Sequence, residues 1–152
     1  MNKLTLVFFT SVLFLTGCTA KVPNLGVANG QLTPCPDKPN CVNSFSKDEE
    51  QYIEPILISG TKLDIKNAIV KIINEIDNAE VTVTENSYVR AEFTSDMLGF
   101  VDDVEFYFPE VTPKNATIHV RSGSRVGYSD FSVNRDRIEL LRLKFSALNN
   151  KL

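Results

Sequence analysis

The densest run of side chains able to do chemistry is Arg121-Ser122-Gly123-Ser124-Arg125-Val126-Gly127-Tyr128-Ser129-Asp130-Phe131-Ser132-Val133-Asn134-Arg135-Asp136-Arg137. The guanidiniums of Arg121, Arg125, Arg135 and Arg137 flank the hydroxyls of Ser122, Ser124 and Ser129, just ahead of a helical pattern. Guanidinium forks, hydroxyls and the free amides of a helix N-terminus together suit an anion such as a phosphate-bearing lipid or glycan. Asp102, Asp103, Glu105, Asp130 and Asp136 are numerous enough to neutralise the same arginines. A structural ion network is therefore the weightier expectation for this cluster.

A second chemistry would use Asp102, Asp103 or Glu105 with His119 as general acid and base in a small hydrolase. Little supports it. His119 is the single histidine, and no nucleophile elbow, metal-ligand spacing or phosphate loop accompanies it. No metal and no cofactor is expected. A third reading makes the domain a non-catalytic interaction module that meets a protein partner through a polar sheet face or the Tyr128–Phe131 loop. Acidic residues outnumber basic ones, 19 to 16, so there is no global field to draw in nucleic acid.

The cysteines give an address. Lys3 precedes an apolar run from Leu4 to Leu15, shorter than the ~20 residues of a spanning helix. Leu15-Thr16-Gly17-Cys18 follows and resembles the lipobox of bacterial lipoproteins, which implies a signal peptide over residues 1–17 and acylation of Cys18. Thr19, where the enteric sorting rule would place Asp for the inner membrane, implies the periplasmic face of the outer membrane. The acyl chains would tether the protein to a membrane. Residues 18–33, rich in turn formers (Pro23, Asn24, Gly26, Asn29, Gly30), read as a flexible tether. With Cys18 acylated in an oxidising compartment, Cys35 and Cys41 remain to form a disulfide, stabilising by about 2 kcal/mol through loop closure.

The elements that must position these groups lie in one domain, residues 34–152. Hydrophobic residues make up 43% of the chain, enough for a single modest core. Tyr52 to Ile58 carries Ile53, Ile56, Leu57 and Ile58, with Pro55 pointing to an edge strand or its start. Thr61 and Asp64 have capping-box spacing ahead of Ile65, Ala68, Ile69, Ile72, Ile73 and Ile76 at helical intervals. Glu80–Thr84 and Ser87–Thr94 flank Glu85-Asn86 as a hairpin. Two more alternating strands carry Asp103, Glu105, Tyr107 and Thr117, His119, Arg121 on a polar side. A last amphipathic helix runs from about Ser132 to Asn149, with Ile138, Leu141, Phe145 and Leu148 on its apolar side. The order β-α-β-β-β-β-α implies an α+β fold, an antiparallel sheet of about five strands with both helices on its apolar face.

The run from Arg121 to Arg137, with Cys35-Pro36, Pro39-Asn40-Cys41 and Gly99-Phe100-Val101-Asp102-Asp103-Val104-Glu105, resembles the domain of unknown function 1499 family of bacterial envelopes and plastids. That resemblance covers most of the chain after Thr33 and implies no reaction, ligand or catalytic residue. The resulting expectation is a lipid-anchored envelope domain with a non-catalytic binding role, its candidate surface between Arg121 and Arg137.

Overall fold

The computed structural model describes residues 21–112 and 115–149, so the expected signal peptide and Cys18 lie outside the described residues. Strands β1 (Val27–Ala28) and β2 (Gln31–Leu32) form a short antiparallel hairpin. They are followed by β3 (Cys41–Asn43), β4 (Ile56–Ile58), α1 (Lys62–Asn74), β5 (Ala79–Thr84), β6 (Tyr88–Thr94), β7 (Val101–Tyr107), β8 (Ala116–Ser124) and α2 (Val133–Asn149). β3 to β8 make one antiparallel sheet in the order β3-β8-β7-β6-β5, with β4 also paired to β8. β8 is long enough to be shared along one edge, taking β4 at Ala116–Ile118 and β3 at Arg121–Gly123.

Local chemistry accounts for most boundaries. α1 starts at a reciprocal capping box, in which the Thr61 amide donates to Asp64 Oδ2 at 2.9 Å and the Asp64 amide to Thr61 Oγ1 at 3.2 Å. The turn beyond α1 closes through Asn78 in the left-handed region, φ 59°, where a short amide side chain is tolerated. The helix buries Ile65, Ile69, Ile72 and Ile73 against Val89, Ala91, Val104, Phe106, Ile118 and Val120 of the sheet, and α2 adds Ile138, Leu141 and Phe145. Each such side chain contributes about 1.5–3 kcal/mol by leaving water, so this one face holds the fold together.

The α+β architecture matches the expected order, and the sheet gains β3, which the cysteine loop concealed. A three-residue strand is too short for alternation to reveal; its pairing with β8 and the Cys35–Cys41 disulfide, Cα–Cα 5.7 Å, hold it in place. Three sequence expectations are corrected. Only Ile56–Ile58 of the Tyr52–Ile58 segment is strand, because Arg142 takes the carbonyls of Glu54 and Pro55 at 2.6 and 2.7 Å. The β5–β6 connection has a third residue, Ser87, claimed by Lys62 Nζ and the Phe108 amide at 2.9 Å each, and a bulge lies between Val81 and Val83. The tether expected over residues 18–33 contains the β1–β2 hairpin at its C-terminal end, with Leu32 only 2% exposed.

Candidate functional site

β6, β7 and β8 run side by side with Arg90 opposite Glu105, Glu92 opposite Asp103, and Glu105 opposite Arg121. Residues directly opposite share a face, so Arg90, Glu92, Asp103, Glu105, His119 and Arg121 lie on one face of the sheet. The centre of the polar face is nevertheless enclosed: Asp103 is 1% and Glu105 0% exposed. The N-terminal segment roofs it. The Gly26 amide bonds to Glu105, and Asn43 Nδ2, on the strand beside Arg121, donates to the Thr33 carbonyl at 3.0 Å. The chain itself thus covers the middle of the sheet face that one sequence reading offers as a contact surface, leaving Glu92, Tyr107 and His119 partly exposed.

Beneath that roof each carboxylate is committed. Asp103 Oδ1 accepts from Arg90 Nη2 at 2.6 Å, and Arg125 donates to both Asp103 oxygens, from Nε at 2.8 Å and Nη2 at 2.9 Å. Glu92 completes the group through Arg90, at 3.5 Å, and Arg125. Glu105 accepts from the Tyr88 hydroxyl at 2.8 Å and pairs with Arg121 Nη1 at 3.3 Å. Burial pushes the Glu105 carboxyl above the ordinary carboxylate range, opposed by Arg121, the Tyr88 hydroxyl and the Gly26 amide. Burial likewise lowers the Arg121 guanidinium and raises the Tyr88 phenol, whereas bonding to Asp103 raises Arg125. Among the described residues, Arg121 Nε and Asn40 Oδ1 are the buried side-chain atoms without a hydrogen-bond partner.

The run from Arg121 to Arg137 is divided by the alternation of β8. Arg121 and Arg125 point to the roofed face, whereas Ser122 and Ser124 point to the helix face and meet the start of α2. There Asn134, fully buried, is the hub. It accepts from Ser122 Oγ at 2.6 Å and Arg137 Nη1 at 2.7 Å, and its amide group donates to the Asn40 carbonyl and Ser124 Oγ at 3.0 Å each and to Asp130 at 2.7 Å. Arg137 also pairs with Asp102 at 2.6 Å and lies 4.8 Å over the Phe93 ring. The entry to α2 is occupied as well, since the amides of Ser132, just before the helix, and of Asn134, in its first turn, donate to the Asp130 carboxylate at 3.2 and 2.8 Å.

Arg121, Ser122, Ser124, Arg125, Ser129, Arg135 and Arg137 are thus not brought into one cluster. Arg135 is the member of the four arginines without a carboxylate partner among the described residues; its Nη2 donates to the Glu50 carbonyl at 2.8 Å. Arg135 and Ser129 border a cleft of about 200 Å³ with Pro39, Glu50, Asp130 and Phe131, two of whose walls are acids that repel an anion. Sequence reasoning missed the Asn40–Asn134 linkage. Its only signal was an asparagine in the first turn of an amphipathic helix, a position usually filled for solvation or capping.

The acid–base candidates do not converge either. His119 lies on the same face as Asp103 and Glu105, but it stacks on Phe45 with centroids 4.1 Å apart, and its Nδ1 is 3.4 Å from Ser44 Oγ. Ser44 Oγ is already engaged by the Val120 amide at 3.0 Å. Burial lowers the imidazole below its ordinary value. No group of three or more metal-ligating side chains occurs among the described residues.

A family model described as "Protein of unknown function (DUF1499)" matches residues 31–145. That span includes β2 through most of α2, the disulfide and both polar networks. The chain belongs to the DUF1499 family. No curated protein and no solved structure matches it. The DUF1499 match begins at β2, so the Leu32 strand that roofs the polar face is part of the domain. It also spans Asn40 and Asn134, the two ends of the helix-face hub.

A different feature lies at one end of the sheet. Thr94 pairs with Val101, Ser124 lies opposite Asp102, and the Arg125 amide donates to the Val101 carbonyl at 3.1 Å. The 95–100 loop and the 125–132 loop therefore leave the sheet side by side. They carry Met97 at 91% exposure, Tyr128 at 70% and Phe131 at 90%, with Leu98, Phe100 and Val126 also exposed. Phe131 and Ser132 both have positive φ, 54° and 70°, an uncommon backbone for side chains with a Cβ. Asn40 Nδ2 pins this loop by donating to the Gly127 carbonyl at 3.1 Å.

Proposed function

We propose that this DUF1499 protein is an envelope lipoprotein, acylated on Cys18 after removal of residues 1–17 and held at the periplasmic face of the outer membrane, whose domain is a non-catalytic interaction module. Its contact surface is the apolar end formed by the 95–100 and 125–132 loops. One observation carries the reading. Arg90, Asp103, Glu105 and Arg121 are buried and Arg125 and Arg137 are paired with carboxylates, while large apolar side chains on pinned loops are left in water. An exposed apolar cluster of this kind marks a contact surface, and backbone strain retained at its tip is common at functional loops. Apolar contact is favoured over an anionic ligand because the Asp130 carboxylate already takes the Ser132 and Asn134 amides at the entry to α2 and carboxylates neutralise Arg121, Arg125 and Arg137.

The address is tested by the mass of the mature protein purified from its host envelope. Diacylglyceryl on Cys18 is expected, and a Cys18→Ser form that partitions into detergent like the unaltered protein would overturn it. The surface is tested by placing a photocrosslinking residue at Tyr128 in living cells. Adducts at Tyr128 and none from Glu80, on the far strand β5, are expected. Equal yields at the two positions would remove the apolar end from the proposal.

A further inference from the structure

We infer that the cleft beside Phe131 is a binding site for a small zwitterion of the amino-acid type, whose carboxylate meets Arg135 and whose ammonium meets Glu50. The site goes beyond the proposed contact surface, with which it shares the 125–132 loop, and does not depend on what that surface meets. Charge is the first argument. The ionisable groups that line the cleft are Glu50, Asp130 and Arg135. Asp130 is spent inside the fold, since its Oδ1 accepts from the Ser132 amide and its Oδ2 from the amide and side chain of Asn134. Arg135 and Glu50 are not. Arg135 Nη2 rests on the Glu50 carbonyl at 2.8 Å, yet the two side chains form no ion pair. Neither the rest of that guanidinium nor the Glu50 carboxylate has a partner among the described residues.

A cation and an anion that border one cleft without pairing select a ligand that carries both signs. Glu50 repels a simple anion and Arg135 a simple cation. A carboxylate and an ammonium on one carbon suit both, the carboxylate through charge-assisted bonds to the guanidinium fork. Volume sets the scale. At about 30 Å³ per water-sized group, the cleft of about 200 Å³ holds a ligand the size of alanine. Pro39, Val42 and Phe131 give its lining an apolar part for a short side chain, and a phenyl ring among them also suits an ammonium.

The walls are fixed before a ligand arrives. β3 supplies the buried Cys41 and Val42. The Glu50 amide donates to Asp48 Oδ1 at 2.9 Å, and Gln51 Nε2 donates to the Pro36 carbonyl at 2.8 Å. Those bonds stitch the Glu50 turn to the disulfide-closed loop that carries Pro39. On the other side the Asp130 bonds hold Ser132 and the start of α2. A site built this way loses little affinity to ordering.

The test titrates the isotope-labelled mature protein, in a non-ionic detergent, with L- and D-alanine and follows it by NMR. N-acetylalanine keeps the carboxylate without the ammonium, and alaninamide the ammonium without the carboxylate. At least one enantiomer of alanine should give saturable shifts at Glu50, Ser129, Ser132 and the Arg135 side chain. Each control should bind at least about tenfold more weakly, the effect of one lost charged contact. Glu50→Gln keeps the carbonyl that Arg135 uses; it should weaken alanine about tenfold and tighten N-acetylalanine, a reversal that a merely structural role would not produce. Arg135→Gln should abolish alanine binding. No saturation by either enantiomer, or equal affinity for alanine and its two controls, overturns the inference. Nε-acetyl-lysine presents the same zwitterion at the end of a chain: tighter binding than alanine assigns the cleft to the end of a longer molecule, and weaker binding to a free amino acid. Crosslinking at Tyr128 is independent of these titrations, so the contact surface and the cleft stand or fall separately.

Discussion

The roofed polar face and the apolar end reverse the usual distribution of side chains in opposite ways. Across β6, β7 and β8 the protein buries Arg90, Asp103, Glu105 and Arg121, residue types seldom enclosed unless paired. At the end of those same strands it leaves Met97 and Phe131 about nine-tenths exposed. The difference separates structure from function. Buried charges that satisfy one another define how the N-terminal segment seats on the sheet, whereas apolar groups left in water are consistent with a surface that meets something outside the molecule. A cluster of arginines and acids is thus a poor guide to a site until its pairing is known.

The largest effect should come from breaking a buried pair. Glu105→Ala leaves Arg121 and the Tyr88 hydroxyl enclosed without their partner, and urea unfolding should show a loss of about 3–5 kcal/mol. Replacing the whole group, Glu105→Met with Arg121→Met and Tyr88→Phe, should recover most of that loss, because the cost lies in the unpaired charge. If the single and triple variants are equally unstable, the face does more than packing and pairing.

Next, Cys35→Ser with Cys41→Ser should lower stability by about 2 kcal/mol through loop-closure entropy, with β3 fraying first in amide exchange because the bridge ends on its first residue, Cys41. At the apolar end the sign reverses. Phe131→Gly relieves a left-handed backbone at a side chain that is 90% exposed, and stability should rise by about 0.5 kcal/mol after the entropy of glycine is subtracted. The same variant should weaken contact at this end, a stability–function exchange expected of a contact surface and absent from the roofed face.

The smallest effect is a pH slope. Burial lowers the His119 imidazole in the folded state, so the unfolded chain binds the proton more readily. Stability from this group is full above the ordinary imidazole value near 6.5 and falls as pH drops through the folded value. Glu105 contributes with the opposite slope at lower pH, because its raised carboxyl favours the folded state while protonated and loses that advantage as pH rises through its folded value. Unfolding curves for His119→Gln should lack the acid-side slope that begins below about pH 6.5, and an unchanged slope would assign it to another group.

The helices, the four long strands and their shared polar side were legible in the residues, since periods of 3.6 and 2 are properties of the local chain. The capping box at Thr61 and Asp64 was legible for the same reason. So was the Cys35–Cys41 pair, once the compartment was assumed. The candidate site was not. Arg121 and Ser122 are neighbours in sequence and lie on opposite faces of β8, and no spacing rule shows that the Gly26–Thr33 segment will close over one face while α2 closes over the other.

What the sequence determined by itself is what covalent order and local periodicity determine: which segments are helix or strand, which residues share a strand face, and which cysteines remain to pair. Tertiary structure alone decided which charges are buried, which carboxylate each arginine meets, that β3 exists, and that two distant loops leave apolar side chains together at one end. The physical reason is that pairing and burial depend on what packs over a surface, and that is set by contacts between residues far apart in the chain, such as Asn40 with Asn134.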